Sequence, residues 1–386
     1  MSAAPSGAAG PRILVIGGDS DVMEAMLGEV VAAGLDARGS VDPDTVLERF
    51  DPAAFDLVAF GGGIAADRRK SLQRDFRLRN PDLKFIRTWA PHAAADIIAA
   101  ARGAAAGVDL QAYCARIGHD GPLTPTLATL GELQARHQAA IPFEAIDVLL
   151  GRGIDLAPEA IDGKLIAAAR GGYCFEQNGL FRRVLSAVGF EVENLAASVR
   201  WMSVPGTVPA PRTHRVLRVT LDGVPWLVDV GFGSAVPAAP LRMDLRDPQP
   251  TIHETYRIIP FGGGSLLQLR AGDRWFPLYD ISAEPWHDSQ FELPNWYTST
   301  HPNSHFRRDL VVARTTAEAR YGLRNGRFTV RRPDGTSERR HLSADGIERM
   351  LGDLFGLPVD TEWRPILEKA AAAPDPAEPA IGSRAA

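Results

Sequence analysis

The sequence predicts a multidomain α+β protein in which a small, doubly wound α/β domain precedes a larger region of helices and then strands. Three observations predict this class. Strand-like and helical segments alternate from residue 11 to about residue 105, as in a parallel sheet covered by helices. Helical periodicity dominates residues 110–185, whereas alternating and β-branched segments dominate residues 192–269. A chain of 386 residues is also long enough for two or three domains.

The first domain is predicted from short apolar or strand-like runs that are each followed by a helical pattern. The runs are Ile13–Ile16, Leu35–Arg38, Phe55–Phe60 and Leu83–Trp89. The helical patterns are Asp19–Ala33, Pro43–Phe50, Ala65–Arg79 and His92–Arg102. Asp19 is the predicted N-cap of the first helix, and Gly34 is the residue expected to end it.

This domain loosely resembles a truncated response-regulator receiver of the Rossmann-like α/β class. Gly61 stands where the phospho-accepting Asp should be, so we expect no phosphorylation there. The glycines at 17–18 and 61–63 are suited to cradling a nucleotide phosphate, but no G-x-G-x-x-G motif is present. We hypothesise that residues 11–105 mediate self-association or contact with a protein partner.

Composition excludes several classes of function. The net charge of −5 provides no basic field for nucleic acid, and no apolar run is long enough for a membrane helix. Residues 1–10, expected to be disordered, lack the features of a signal peptide, so a cytoplasmic location is the default. The only cysteines are Cys114 and Cys174, which excludes a disulfide framework and a cysteine-based metal cluster. We expect no metal.

One of the two cysteines lies in a segment suited to nucleophilic chemistry. Cys174 follows two glycines and precedes a helical stretch, where the positive end of the helix dipole favours a thiolate. His214 begins a strand-like run and Asp229 ends the next, with an Asp222-Gly223 turn between the two runs. Strands joined by such a turn place the histidine and the aspartate side by side. An acid orients the imidazole and the imidazole activates the thiol, so the three residues form a predicted nucleophilic triad.

Each member of this triad is weak evidence by itself. A single cysteine is more often inert packing, and a histidine or an aspartate in a strand is more often structural. Cys114 illustrates the ordinary case, because it lies in an amphipathic helical pattern without glycine neighbours. We expect Cys114 to pack in the core.

The joint pattern is far more specific, because it resembles the motifs of the arylamine N-acetyltransferases. The segment Arg170–Asn178 resembles the active-site motif of that family, and so do Thr213-His214 and Val228–Gly233. Further similar segments are Ile117–Pro122, Ala140–Glu144, Asn295–Pro302 and Ser304–Phe306. The resemblance covers about residues 108–358, with the motifs in the family's order.

The resemblance implies a papain-like Cys-His-Asp transferase fold, made of a helical bundle, a β-barrel and an α/β lid. On this chain it predicts a helical bundle with the nucleophile at 106–190, a barrel with the histidine and the aspartate at 191–297, a lid at 298–366 and a disordered tail at 367–386.

The resemblance also implies a ping-pong reaction with acetyl-coenzyme A as co-substrate. Acetyl-coenzyme A acylates Cys174, coenzyme A leaves, and a small arylamine, arylhydrazine or N-hydroxyarylamine takes the acetyl group. His214 is then the base and Asp229 orients it. The backbone N–H of Cys174 is one expected oxyanion donor, whereas the second donor stays open.

Further residues are assigned to the two substrates by the same resemblance. Phe143 and Phe232 are expected at the acceptor site. The residues expected near coenzyme A are Gly233, Thr300, His301 and Ser304.

Two departures from the family keep an alternative open. Ala145 stands where the family commonly has Asn, and Ser234 stands where a further Gly is frequent. Together with the added domain, they favour as an alternative an amide synthase or acyltransferase of secondary metabolism that uses another acyl thioester donor. The family motifs oppose a cysteine protease, and the intact Cys-His-Asp set opposes a non-enzymatic regulator.

Overall fold

The computed structural model describes residues 11–89, 93–99, 101, 108–201 and 211–374. The chain divides into two compact units, Met1–Gly107 and Val108–Ala386, called here the N-terminal unit and the C-terminal unit. The disorder predicted for residues 1–10 lies outside the described residues, as does the end of the predicted disordered tail, residues 375–386.

The N-terminal unit contains a four-stranded parallel sheet. Its strands are β1 (Arg12–Ile16), β2 (Asp36–Ser40), β3 (Leu57–Gly61) and β4 (Lys84–Thr88), in the spatial order β2-β1-β3-β4. Its helices are α1 (Ser20–Ala32), α2 (Val46–Arg49), α3 (Ala66–Arg79) and α4 (Ala93–Ala99), and a 3-10 turn covers Pro52–Ala54.

Helices cover both faces of this sheet. Ile13 and Val15 of β1 pack in one apolar cluster with α1 and α4. Leu14 and Ile16 of the same strand pack in a second cluster with α2 and α3. This explains why β1 is a continuous apolar run rather than an alternating one. Asp19 caps α1 by accepting hydrogen bonds from the N–H groups of Asp21 and Val22.

The C-terminal unit begins with a group of helices. They are α5 (Leu110–Ile117), α6 (Leu127–Ala140), α7 (Ile146–Leu149), α8 (Pro158–Asp162), a π-helical turn Gly163–Ala167 and α9 (Cys174–Val188). Leu130 of α6 and Leu180 of α9 share a buried core with Leu217 and Val228, which belong to the following strands. Helices and strands of this unit are therefore joined by one core.

An eight-stranded antiparallel sheet follows the helices. Its strands are β6 (Glu191–Val199), β7 (His214–Leu221), β8 (Val224–Val228), β9 (Leu241–Arg242), β10 (Gln249–Pro250), β11 (Thr255–Phe261), β12 (Gly264–Ala271) and β13 (Arg274–Trp286). Their order is β10-β11-β12-β13-β6-β7-β8-β9. The pairing of β13 with β6 brings the end of this region back beside its first strand.

A five-stranded sheet and three helices complete the unit. The strands are β5 (Phe143–Glu144), β14 (Val311–Thr315), β15 (Arg320–Arg324), β16 (Arg327–Arg331) and β17 (Ser337–His341), in the order β17-β16-β15-β14-β5. The helices are α10 (Glu292–Thr300), α11 (Ala344–Asp353) and α12 (Arg364–Ala372). Because β5 comes from the helical region, Phe143 is joined to the lid through its pairing with Ala313.

The predicted disorder of the tail is wrong over its first residues. Helix α12 continues to Ala372 because Leu367 and Ala370 are buried in the same core as Ile347 and Leu351 of α11. Among the described residues, no helix combines the length and the apolar composition needed to cross a membrane.

Candidate active site

The loop before α9 holds Cys174 at the first position of that helix. A Cβ atom at Gly171 would lie 2.1 Å from the carbonyl oxygen of Pro142, so only glycine fits there. The same Pro142 carbonyl accepts a 2.9 Å hydrogen bond from Nε2 of Gln177. The Glu176 carboxylate accepts a 3.0 Å hydrogen bond from the N–H of Tyr173. The loop is thus fixed to the first turn of its own helix.

A tight hairpin brings His214 and Asp229 together. Asp222 and Gly223 have φ angles of 51° and 78°, which are the left-handed values of a two-residue type I′ turn. The turn joins β7 to β8, and His214 Nε2 lies 2.8 Å from Asp229 Oδ2. Both side chains are buried. Since Nε2 is occupied, Nδ1 of the imidazole is the nitrogen available to another partner.

Cys174 lies against the same imidazole. Its Sγ is 3.6 Å from the carbonyl oxygen of Thr213, the residue before His214. The Cys174 side chain is also one of the groups that raise the pKa of His214, so the two side chains are neighbours. The structure therefore places the three predicted triad residues in one connected series.

Electrostatics keep the histidine protonated. Burial favours the neutral imidazole, but the Asp229 carboxylate and the Cys174 side chain outweigh it and raise the pKa of His214 to about 10. Burial alone would raise the pKa of Asp229, yet His214 and the hydrogen bonds to its carboxylate hold it below its usual range. At neutral pH the site therefore contains an imidazolium between a carboxylate and a sulfur atom.

Three further groups orient the Asp229 carboxylate. Tyr279 donates its hydroxyl proton to Oδ2 at 2.9 Å, and the N–H of Gly231 donates to Oδ1 at 2.8 Å. Asn178 donates from Nδ2 to Oδ1 at 2.9 Å. The carboxylate cannot rotate away from His214 without breaking these bonds.

The predicted acceptor residues surround the cysteine and the histidine. The Phe232 ring meets the His214 ring edge to face, with centroids 5.1 Å apart. Phe143 shares a buried apolar cluster with Cys174. Gly233 has a φ of 77°, and a Cβ atom placed there would lie 3.7 Å from the Phe143 ring.

The other predicted coenzyme residues lie at and after the end of α10. Thr300 donates its hydroxyl proton to the Trp296 carbonyl, and Ser304 donates to the Thr298 carbonyl at 2.6 Å. The His301 ring stacks on Tyr297. None of these contacts, within the described part of the chain, reaches the triad.

A cleft of about 780 Å³ lies on the outer rim of the large sheet. Its lining includes Arg212, which directly precedes Thr213, and the ion pair of Arg200 with Asp280 at 2.6 Å. Ser282, also in the lining, accepts a 3.2 Å hydrogen bond from the N–H of Ala196, which packs in the cluster of Cys174. The lining of the cleft comes in part from β6 and β13 and includes none of Cys174, His214 and Asp229.

Sequence reasoning assigned no role to several of these residues. Asn178 belongs to the segment Arg170–Asn178. It lies four residues after Cys174 in a helical stretch, and this spacing alone would have predicted that both side chains are on one face of the helix. Tyr279 and the cleft residues carry no such signal, because they arrive through strand pairing over long sequence distances. No group of three or more His, Cys, Asp or Glu side chains in the described ranges is placed to hold a metal ion.

Comparison with known proteins identifies the family. A sequence profile described as N-acetyltransferase matches residues 126–364. An arylamine N-acetyltransferase of Mycolicibacterium smegmatis is 41% identical over 272 residues, which are 68% of this chain and 99% of that protein. The chain belongs to the arylamine N-acetyltransferase family. It is therefore an acetyltransferase, and the prediction of the family and of this enzyme class is confirmed.

Solved structures of the family confirm the predicted fold class. The Mycobacterium tuberculosis arylamine N-acetyltransferase has a TM-score of 0.65 and 38% identity, over 68% of this chain and 99% of that one. The Mycobacterium marinum enzyme, solved in complex with CoA, has a TM-score of 0.64 and 38% identity, over 68% of this chain and 98% of that one. The matched profile lies entirely within the C-terminal unit.

Proposed function

We propose that the protein transfers an acetyl group from acetyl-coenzyme A to an arylamine, an arylhydrazine or an N-hydroxyarylamine through an acetyl-Cys174 thioester. The observation that carries this proposal is that Cys174, at the start of α9, lies beside the His214–Asp229 pair. The CoA complex of the M. marinum relative supports the donor. A Salmonella typhimurium relative, 38% identical over 254 residues, is named an arylamine N-acetyltransferase and N-hydroxyarylamine O-acetyltransferase, which supports the acceptors.

In the first half-reaction, Cys174 attacks as a thiolate and forms a C–S bond to the acetyl carbonyl carbon. The His214 imidazolium gives its proton to the departing coenzyme A sulfur as the donor's C–S bond breaks. Asp229 stays ionised and holds the ring through Nε2. We assign the N–H of Cys174, the first residue of α9, as one donor to the developing oxyanion.

In the second half-reaction, the acceptor nitrogen attacks the thioester carbonyl. His214, now neutral, takes the proton that the nitrogen loses, and the C–S bond to Cys174 breaks. The thiolate and the imidazolium are restored together. Because His214 serves as acid in one step and as base in the next, its pairing with Asp229 must persist through both.

The residues around the triad fit two substrates that bind in turn. Phe143 and Phe232 give aromatic surface to an arylamine ring beside the sulfur. Gly233 keeps the loop near Phe143 free of a side chain, which leaves room for a pantetheine arm. Thr300, His301 and Ser304 remain proposed coenzyme residues. The two hydroxyls donate their protons within their own segment but can still accept, and the Nδ1 atom of His301 accepts from the N–H of Asn303, which leaves Nε2 for a ligand.

Intact-mass measurement tests the thioester. When the protein is mixed with acetyl-coenzyme A alone, its mass should rise by about 42 Da, and one coenzyme A thiol should be released per active site. Peptide mapping should locate the added mass on the peptide that contains Cys174. Adding an arylamine should then remove the added mass. The matched control is Cys114→Ala, which should acetylate like the wild type. Acetylation without Cys174, or thiol release only when the amine is present, would contradict the scheme.

A panel of donors tests the alternative. Acetyl-, propionyl- and malonyl-coenzyme A are compared by the rate of thiol release with one fixed arylamine. Preference for the acetyl donor supports the proposal. A clear preference for a different acyl thioester would favour the amide synthase or acyltransferase alternative while leaving the role of Cys174 intact.

A further inference from the structure

The start of α3 in the N-terminal unit leaves its backbone N–H groups without a cap. The preceding residue, Ala65, has the non-helical geometry of an N-cap (φ −54°, ψ 140°) but no side-chain acceptor, and no described side chain caps the helix in its place. Helix α1 of the same unit differs, because the Asp19 carboxylate occupies its N–H groups. Uncapped N–H groups and the positive end of the helix dipole together attract an anion.

Arg69 is the second, independent observation at this place. It is 8% exposed, and its Nη1 has no hydrogen-bond partner among the described residues. Arg69 is the first member of the buried stripe of α3, followed by Leu72 and Phe76, which pack in the core. Helix side chains generally lean toward the N-terminus, which for Arg69 is the direction of the uncapped start. A buried cationic N–H without a partner calls for an acceptor.

The topology places this helix start at the usual ligand edge of an open parallel sheet. β1 and β3 are neighbours in the sheet. The chain adds β2 on the outer side of β1 and β4 on the outer side of β3, so the strand order reverses between β1 and β3. Ligands of such sheets bind beyond the carboxyl ends of the strands where the order reverses. A Cβ atom at Gly18, after β1, or at Gly63, after β3, would meet no atom within 4 Å. Space is therefore open at these two positions, whereas the Trp89 ring covers Gly62, where a Cβ atom would lie 2.3 Å from it.

The charge of α3 favours an anion as well. Its basic residues are Arg68, Arg69, Lys70, Arg74, Arg77 and Arg79, against the acidic Asp67 and Asp75. Arg68 is neutralised by Asp44 at 2.8 Å. Arg69 is then a buried positive charge near the start of the helix, whereas Asp67, the acidic residue of the first turn, is exposed.

We propose that the N-terminal unit binds a phosphoryl group at the start of α3, held by the Arg69 guanidinium and by the first N–H groups of the helix. Inorganic phosphate and the phosphate of a nucleotide share this chemistry. The proposal concerns the N-terminal unit alone and does not depend on the acetyl transfer proposed for the C-terminal unit.

Binding to the full-length protein tests the proposal. Inorganic phosphate and AMP are titrated calorimetrically, and hydrogen exchange of the peptide that spans residues 61–72 locates the binding. In the wild type, both probes should slow exchange in that peptide. Arg69→Gln should weaken binding by about tenfold or more, because it removes charge-assisted hydrogen bonds. Nucleotide is the ligand class if AMP binds more tightly than phosphate, and the phosphoryl group alone is recognised if the two bind equally.

A second variant guards against a folding defect in Arg69→Gln. Ala65→Asp supplies the missing cap, so it should keep or raise the Tm while abolishing the slowed exchange. Lys70→Gln removes an exposed charge from the same turn and should change the affinity by less than about twofold. Absence of binding to the wild type at roughly 10 mM probe, or binding that survives both Arg69→Gln and Ala65→Asp, would overturn the proposal.

Discussion

Asn178 joins the helix that begins with Cys174 directly to the Asp229 carboxylate, through a 2.9 Å hydrogen bond from its Nδ2 to Asp229 Oδ1. The same Nδ2 donates to the Arg215 carbonyl at 2.7 Å, and Oδ1 of Asn178 accepts from the N–H of Val230 at 3.1 Å. These partners flank the histidine and the aspartate. One buried amide, a helical turn after Cys174, thus sets the position of the thiol relative to both.

Asn178→Ala should therefore impair both stability and activity. Three buried hydrogen bonds lose their partner, so we expect the free energy of unfolding to fall by about 2–4 kcal/mol. We also expect kcat for acetyl transfer to fall by about tenfold or more, because the sulfur and the imidazole are no longer held in a fixed relative position. Urea unfolding and steady-state kinetics measure the two effects. Asn303→Ala removes an exposed amide and is the control; equal kcat in both variants would refute the positioning role.

Cys174 and Cys114 should differ both in their importance for activity and in their reactivity. Cys174→Ala should abolish acetyl transfer, whereas Cys114→Ala should retain nearly all of it. Burial raises the pKa of the Cys114 thiol, which disfavours its thiolate. Rates of iodoacetamide labelling, read by peptide mapping, should be faster at Cys174 than at Cys114 near neutral pH. Equal labelling rates would argue against activation of Cys174 by His214.

The raised pKa of His214 predicts a slope of stability against pH. The native histidine titrates at about 10 and an unfolded one near 6.5, so the folded state holds a proton that the unfolded state releases. The stabilising contribution of His214 is complete below about pH 6.5 and is lost as the pH rises toward 10. Urea unfolding across this range is measured in a Cys174→Ala background, so that no thiol gains or loses a proton, and it should show the slope with His214 present and a smaller one after His214→Gln.

A buried histidine elsewhere provides the control for that experiment. Burial lowers the pKa of His137 to about 4, so His137 is neutral in both states above pH 6.5. In the same Cys174→Ala background, His137→Gln should keep the slope, whatever its effect on absolute stability. Identical slopes with and without His214→Gln would show that His214 is not the group responsible.

Gly231→Ala should disable the site by crowding. A Cβ atom there would lie 2.7 Å from Cα of Cys174 and 2.9 Å from Nδ2 of Asn178, and the first is backbone that cannot move cheaply. We expect a large loss of kcat. The matched control is Gly352→Ala in α11, where the nearest atom is 3.9 Å away. Alanine is the better helix former, so that change should stabilise by about 0.5–1 kcal/mol.

Sequence reasoning succeeded where the physical signal was local. The Asp222-Gly223 pair demands a tight hairpin by its own backbone preferences, and the flanking runs then bring the histidine and the aspartate together. The capping of α1 by Asp19 could be predicted in the same way. The contact of Tyr279 with the Asp229 carboxylate could not, because it depends on the pairing of β13 with β6, which no local pattern encodes.

The tail shows the opposite error. An Ala- and Pro-rich composition predicts disorder, but Leu367 and Ala370 are spaced to bury one face of α12. Composition averages over a window and misses such spacing. The domain boundaries and the self-association of residues 11–105 stay predictions.

The hairpin also limits where the chain tolerates change. Asp222 and Gly223 form a two-residue loop, of the kind where insertions usually do little harm. Here Leu221 pairs with Val224, and the register continues unbroken to Leu217 and Val228, just before Asp229. Adding one residue within either strand would turn His214 or Asp229 to the opposite face of the sheet. An epitope tag or a sensor peptide placed in this hairpin must therefore leave both strands intact, because their register holds His214 beside Asp229.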